Sequence, residues 1–176
     1  PGFDDSKWPA VSIPHTWNTY ETTGEFYPFM RSDDGTDNSY WNNGWGWYRK
    51  HFTISSLAFG KKVFIEFEGV LKYCKVWING KYLGDHKGGY VSFDFDITEF
   101  INPGNDNLLA IAVSNIPEDK SGKTHVTAGD FSFYGGILSD VILAIKDNLY
   151  IPGQGSTSHE GGTFITTPSV SEKEAV

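Results

Sequence analysis

The sequence is poor in cysteine, methionine and positive charge, and each shortage excludes a class of function. The 176 residues contain one methionine and one cysteine, Cys74, so neither an internal disulfide nor a thiolate metal site can form. Lys and Arg number 14 against 22 Asp and Glu, which gives a formal net charge of −8. Because nucleic acids and anionic membranes attract positive surfaces, we expect neither as a partner. The cellular compartment stays open.

Long apolar runs and ligand motifs are also missing. No segment has the roughly 18 apolar residues in a row that a membrane span requires, and no charged-then-apolar segment resembles a secretory signal, which leaves open a signal removed by processing. The start at Pro1 indicates a processed chain or a piece of a longer one. We predict no metal site and no cofactor, because the histidines lack ligand spacing and no phosphate-binding glycine loop occurs. The histidines are His15, His51, His86, His125 and His159.

Aromatic residues and glycines, by contrast, are abundant, and their arrangement predicts an all-β fold. Aromatics make up 16% of the residues and glycines number 20, a mixture that favours short strands joined by tight turns. Since no long helical pattern interrupts the candidate strands, we predict an antiparallel β-sandwich of jelly-roll type. The strand candidates cover 47–54, 63–68, 73–78, 81–84, 91–96, 108–113 and 137–145.

Local signals sharpen this prediction at several positions. Asn79-Gly80 between two strand candidates predicts a type I′ hairpin. Asp96 to Glu99 has the spacing of a capping box and predicts one helical turn. Cys74 is expected to be buried as a small apolar side chain, and His15 to form hydrogen bonds in a buried position. Trp47, Phe52 and Trp77 are expected to pack in the core.

Two loop segments have the composition of a carbohydrate site, in which aromatic rings contact the apolar faces of sugars and Asp or Asn contacts the hydroxyls. The first segment contains Trp41, Asn43 and Trp45, and the second contains Asp130 between glycines and aromatics. Asp130 directly precedes a buried strand candidate, where a carboxylate can point outward from a rigid base. The alternative for Asp130 is an ordinary turn or capping residue.

Six blocks of sequence, in collinear order, resemble the sugar-binding domain of family 2 glycoside hydrolases. Each block is weak alone, and together they cover roughly residues 3–150. The blocks are Phe3-Asp4-Asp5-Ser6-Lys7-Trp8 with Val11 to Asn18, Gly46 to Phe52, Glu68-Gly69-Val70, Val76 to Gly84 with Gly88-Gly89-Tyr90, Phe93 to Thr98 with Asn105-Asp106-Asn107, and Gly129 to Ile137.

The resemblance implies a jelly-roll first domain over 1–150, most like that of a β-galactosidase, with its first strand missing. Residues 151–176 would then be a linker and the start of a truncated immunoglobulin-like domain. It implies that Asp130 contributes a carboxylate to the edge of the galactose pocket, with Asn43 as a weaker candidate. Ser139 departs from the family pattern, which has Arg at this position, and this puts the local packing in doubt.

The same resemblance implies that this chain is inactive alone, because the family's two catalytic glutamates lie in a later barrel domain. Glu66 and Glu68 share a strand face about 7 Å apart and are expected to be solvated. Expected partners are a β-galactoside and the other domains of the parent enzyme. The alternatives are a free-standing carbohydrate-binding module that uses Trp41 and Trp45, and an interaction domain that helps to assemble homo-oligomers.

Overall fold

The computed structural model describes residues 2–17, 44–116, 134–152, 166–169, 171 and 173. Three of the predicted site residues, Trp41, Asn43 and Asp130, lie outside these ranges. So does most of 151–176, where the linker and second-domain start stay a prediction. Ten strands are described: β1 His15–Thr16, β2 Trp45–Thr53, β3 Lys62–Phe67, β4 Val70–Leu71, β5 Tyr73–Ile78, β6 Lys81–Lys87, β7 Phe93–Asp96, β8 Asp106–Ser114, β9 Gly136–Ile137 and β10 Val141–Lys146.

The strands form an antiparallel sandwich, which confirms the predicted fold class. One sheet has the order β2-β8-β5-β6, the second has the order β10-β3-β7, and a short sheet β1-β9-β4 lies at one end. All the strand pairs are antiparallel. Among the described residues, helical structure is limited to 3₁₀ turns at Ser56–Ala58 and Thr98–Phe100.

The core lies between the two larger sheets, and period-two alternation selects its members. Strand β5 contributes Cys74, Val76 and Ile78, and β8 contributes Leu109, Ile111 and Val113. The facing sheet contributes Val63, Ile65 and Phe67 from β3 with Phe93 and Phe95 from β7. Cys74 is fully buried, as expected, and burial raises the pKa of its thiol to about 12. The thiol is therefore a packing group, and it stays protonated near neutral pH.

The predicted hairpin is present, and a buried polar cluster supports its turn. Asn79 and Gly80 have φ angles of 50° and 80°, which are the positive values that a type I′ turn requires. The Asn79 amide donates to Asn107 Oδ1 at 2.8 Å, and Asn79 Oδ1 accepts from Leu108 N at 2.9 Å. Asn107 is fully buried and also accepts from Asn102 N at 2.7 Å. The hairpin tip is thereby joined to the loop that leads into β8.

The predicted helical turn is a 3₁₀ turn at Thr98–Phe100. Asp96 Oδ1 accepts from Thr98 N at 2.9 Å, and its other carboxylate oxygen lies 3.0 Å from Lys62 Nζ. The residue pattern at Asp96 therefore located the turn correctly, but the turn has Ile97 as its N-cap residue and no side-chain cap in place of the predicted capping box.

The predictions that Trp47 and Trp77 pack in the core were wrong. The Trp47 side chain is 51% exposed and lies on the outer face of the four-stranded sheet, stacked on half-buried Trp77 with ring centroids 5.3 Å apart. The register of β2 explains the difference, because Tyr48 and Phe52 point inward and pack on the core while their odd-numbered neighbours point outward. Phe52 is therefore a packing residue, as predicted.

Candidate functional site

The residues that border the two predicted site segments contact one another at one end of the sandwich. Trp17 N donates to Gly135 O at 3.1 Å. Gly44 N donates to Asn115 Oδ1 at 2.9 Å, and Asn115 N donates to Gly44 O at 3.3 Å. Gly44 directly follows Asn43, and Asp130 lies in the chain between Asn115 and Gly135. The structure thus places the flanks of both segments side by side, while the positions of Asn43, Trp41 and Asp130 stay predictions.

Three glycines allow Trp17 and the β1 backbone to pack closely at this end of the sandwich. A Cβ atom added at Gly135 would lie 2.1 Å from Cζ2 of the Trp17 ring, and one at Gly46 would lie 2.7 Å from Cζ3. Gly136 has φ of +149°, and a Cβ there would lie 2.2 Å from His15 O. Because the Trp17 indole and the β1 backbone lie this close, there is no room for a side chain at Gly46 of β2 or at Gly135 and Gly136 at the start of β9. This close packing is the physical reason for the paired glycines that precede Ile137.

His15 and Tyr48 form a part-buried hydrogen bond beside these glycines. His15 Nδ1 lies 2.8 Å from Tyr48 Oη, and the two rings meet edge to face with centroids 5.6 Å apart. Burial raises the pKa of Tyr48 to about 12 and lowers the pKa of His15 below its usual value. Both groups are therefore neutral at pH 7. The pair anchors β1 to β2, as the prediction of a hydrogen-bonding His15 implied.

Trp45 is the one predicted site residue that the structure describes. It is the first residue of β2 rather than part of a loop, and it is 47% exposed. Its ring meets Tyr73 edge to face at 5.6 Å, and the Lys75 ammonium lies 5.6 Å from its centroid. Trp45 is two residues from Asn43 and lies at the same end of the sandwich as Gly44 and Asn115. An exposed ring at this position is available to a ligand.

The two glutamates that could suggest hydrolytic chemistry have other partners. Glu66 Oε1 lies 2.9 Å from Lys146 Nζ on the neighbouring strand β10. Glu68 Oε2 accepts a hydrogen bond from Ser139 Oγ at 2.9 Å, so Ser139 makes a short polar contact at the position where the family pattern has Arg. Asp94 of β7 is the register partner of Glu66, so these two carboxyl groups are cross-strand neighbours on one sheet face. Both glutamates belong to the outer surface of the smaller sheet.

The described residues contain neither a cluster of metal-ligand side chains nor a helix suited to a membrane span. No group of three or more His, Cys, Asp and Glu side chains in the described ranges could hold a metal ion. No helix in those same ranges is long and apolar enough to span a bilayer.

Sequence reasoning missed an exposed row of aromatic rings on the outer face of the four-stranded sheet. Trp47 stacks on Trp77, and Trp77 in turn lies 5.4 Å from Tyr82 between ring centroids. Trp47 and Tyr82, at the two ends of the row, are 51% and 52% exposed. The signal was available in the alternation of β2 and β5, since Tyr48, Val76 and Ile78 already fill the inward positions.

Comparison with known proteins identifies the domain. The model of the family described as "Glycosyl hydrolases family 2, sugar binding domain" matches residues 4–147. The chain belongs to this family.

The relatives of this family 2 sugar-binding domain are longer proteins with two different activities in their names. The β-galactosidase of Thermoanaerobacter pseudethanolicus is 39% identical over 151 residues, which cover 85% of this chain and 18% of that protein. A β-glucuronidase of Formosa agariphila is 34% identical over 178 residues, which cover 98% of this chain and 18% of that protein. The chain therefore spans about one fifth of the length of these relatives.

A solved structure agrees with the family assignment. Bacteroides uniformis β-glucuronidase superposes with a TM-score of 0.76 at 35% identity, and the match covers 99% of this chain and 18% of that one. The relatives thus establish the family and the fold. They divide between β-galactosidases and β-glucuronidases, so they do not distinguish the two activities.

Proposed function

We propose that this chain is the non-catalytic N-terminal domain of a β-galactosidase-type glycosidase, to which it lends Asp130 at the edge of the sugar pocket. The parent enzyme would hydrolyse terminal β-galactosides with retention of configuration. One observation supports the proposal most directly. The residues that flank both predicted site segments are hydrogen-bonded at one end of a family 2 domain, Gly44 to Asn115 and Trp17 to Gly135. Side chains from these segments can then serve one shared pocket.

The chemistry supports an accessory role. Retaining glycoside hydrolysis uses two carboxyl groups about 5–5.5 Å apart, one as the nucleophile and one as the acid/base. Glu66 is paired with Lys146 and Glu68 with Ser139, so both carboxylates have structural partners on the sheet surface. In the proposal, the two catalytic carboxyl groups belong to another domain of the parent, and this chain supplies binding and positioning.

Electrostatics favours a galactoside over a glucuronide as the substrate. A glucuronide carries a carboxylate, and the Asp130 carboxylate at the pocket edge would repel it. A neutral galactose ring instead offers hydroxyl donors, and a hydrogen bond to a charged acceptor contributes about 1.5–3 kcal/mol. The Gly129-Asp130-Phe131 segment is thus better suited to a neutral sugar.

The test uses the natural full-length polypeptide with Asp130→Asn, assayed on nitrophenyl β-galactoside and nitrophenyl β-glucuronide. We expect the wild type to prefer the galactoside, and the variant to lose roughly 10- to 100-fold in kcat/KM on it. Asp147→Asn is the control, because Asp147 is exposed and pairs with Lys61 beyond the end of β10. An unchanged kcat/KM in the Asp130 variant would contradict the role proposed for Asp130. A wild-type preference for the glucuronide would contradict the assignment as a β-galactosidase.

A free-standing carbohydrate-binding module is the second candidate, and the exposure of Trp45 is the observation that favours it. The length of the natural polypeptide separates the two candidates. Immunodetection of a protein several times longer than 176 residues, with two barrel glutamates encoded downstream, supports the accessory domain. A short complete protein supports the module.

A further inference from the structure

We propose that the outer face of the four-stranded sheet carries a second glycan contact, an aromatic strip made of Trp47, Trp77 and Tyr82. Its ligand would be a linear, neutral, β-linked oligosaccharide. The inference rests on the family assignment as a sugar-binding domain and does not use the role proposed for Asp130, because the strip consists of residues of β2, β5 and β6.

The strip crosses the sheet from edge to edge. Trp47 lies on the edge strand β2, Trp77 on β5 and Tyr82 on the opposite edge strand β6. Successive ring centroids are 5.3 and 5.4 Å apart, with Trp47 and Trp77 stacked and Trp77 and Tyr82 tilted by 49°. The two most exposed rings, Trp47 and Tyr82, lie on opposite edge strands, so a ligand that contacts both must be elongated across the sheet.

Small side chains on β8 allow the two indoles to meet. Ala112 is the register partner of Trp47, and Ala110 is the register partner of Trp77. With only methyl groups on the intervening strand, the larger rings lean over it and stack at an interplanar angle of 28°. The strip is therefore continuous, and the methyl groups of Ala110 and Ala112 form an apolar surface beneath the rings.

Polar groups border the strip at positions where they can contact sugar hydroxyls. Lys75 of β5 faces Asp85 of β6 in the sheet register. The Asp85 carboxylate accepts a hydrogen bond from Tyr73 Oη at 2.6 Å and is otherwise at an exposed position. The ammonium and the carboxylate together offer donors and acceptors with no net charge, which suits a neutral ligand.

This mixture fits a glycan better than a protein or a nucleic acid. The centres of protein interfaces are depleted of Lys and Asp, whereas here Lys75 and Asp85 lie among the rings. Single-stranded nucleic acids also stack on aromatic rings but need a cationic groove, and this chain has a net charge of −8. A neutral oligosaccharide has both apolar ring faces and hydroxyl groups, so it can contact the aromatic rings and also Lys75 and Asp85.

The test titrates the 176-residue chain with cellotetraose and with β-1,4-galactotetraose, using calorimetry and tryptophan fluorescence. We expect at least one of them to bind with a micromolar to millimolar Kd. Trp47→Ala and Tyr82→Ala should each weaken binding about tenfold or more. Phe59→Ala is the control, because Phe59 is 69% exposed and lies outside the strip, and it should bind like the wild type.

Each outcome bears on the proposal. Absence of binding by both tetrasaccharides, or equal affinity in the wild type and both strip variants, would overturn it. A solution dimer that Trp47→Ala dissociates, with no response to sugar, would also overturn it by making the strip a protein contact. Circular dichroism of each variant must match the wild type, and Tyr82→Ala at an edge strand keeps the test valid if Trp47→Ala unfolds. None of these results depends on the activity of the Asp130 variant.

Discussion

Trp17 and Gly135 are in contact through both backbone and side chain. Trp17 N donates to Gly135 O at 3.1 Å, and the indole lies so close to Gly135 that an added Cβ would approach it to 2.1 Å. These residues belong to the first and last blocks of the sequence that carry the family resemblance. The contact explains why the two blocks occur together. Trp17 provides the ring that packs at this position, and Gly135 provides the space that the ring requires.

The first prediction concerns this contact. Gly135→Ala should reduce the free energy of unfolding by about 1–3 kcal/mol, because the added methyl group overpacks against the Trp17 ring. The measurement is urea denaturation followed by tryptophan fluorescence. Gly44→Ala is a matched control at the same end of the sandwich, since a Cβ at Gly44 meets nothing within 4 Å. Equal stability of the two variants would mean that Trp17 does not press on Gly135 in solution.

The second prediction concerns the polar cluster beneath the hairpin. Asn107→Ala should lower the free energy of unfolding by about 1–3 kcal/mol, because it removes the fully buried Asn107 side chain and leaves the part-buried Asn102 N and Asn79 amide donors without their acceptor. Thermal and urea unfolding both measure this loss. Asn105→Ala serves as the control. Asn105 is exposed, so the change should stay within about 0.5 kcal/mol, and a comparable loss there would contradict the special role of Asn107.

The third prediction is a pH dependence that arises from Lys72. This side chain is 6% exposed, and burial lowers its pKa from 10.5 to about 8. Between pH 8 and 10.5 the unfolded chain therefore holds a proton that the folded chain has released, so the stability contribution of Lys72 increases with pH. Below pH 8 both states are protonated and the contribution is at its minimum.

The experiment compares unfolding of the wild type and Lys72→Met from pH 7 to 9. Above pH 9 the ionisation of Cys74 in the unfolded chain opposes the Lys72 effect, because burial keeps that thiol protonated in the fold. The difference between wild type and variant isolates Lys72. We expect this difference to change by less than about 1.4 kcal/mol per pH unit, the limit for one proton, while exposed Lys87→Met leaves the wild-type profile unchanged. A pH-independent difference would contradict a lowered Lys72 pKa.

Most of the fold could be predicted from the sequence because its signals are local. The Asn79-Gly80 turn depends on two positive φ values, and the strands around it alternate with period two. The segment 137–145 was less predictable. Its apolar content suggested one strand, but β9 and β10 pair with different sheets, and residues 138–140 lie between them. A choice of sheet is a long-range property that a run of apolar residues does not specify.

The site could be predicted less completely, and Trp47 illustrates the reason. Aromatic residues in a small sandwich are usually core, and residue type alone favoured that interpretation. The orientation depended on whether Tyr48 or Trp47 faced inward, and the alternation of Tyr48 with Phe52 was the deciding pattern. Trp45 and Trp47 share a face of β2, so one correct register would have predicted both as exposed.

The most direct test of an accessory role is the hydrolysis of nitrophenyl β-galactoside by the pure 176-residue chain. The account predicts no release of nitrophenol above the rate in buffer, since it assigns the two catalytic carboxyl groups to another domain, and Glu66 and Glu68 have structural partners in Lys146 and Ser139. Turnover by the chain that disappears in Glu66→Gln or Glu68→Gln would contradict it.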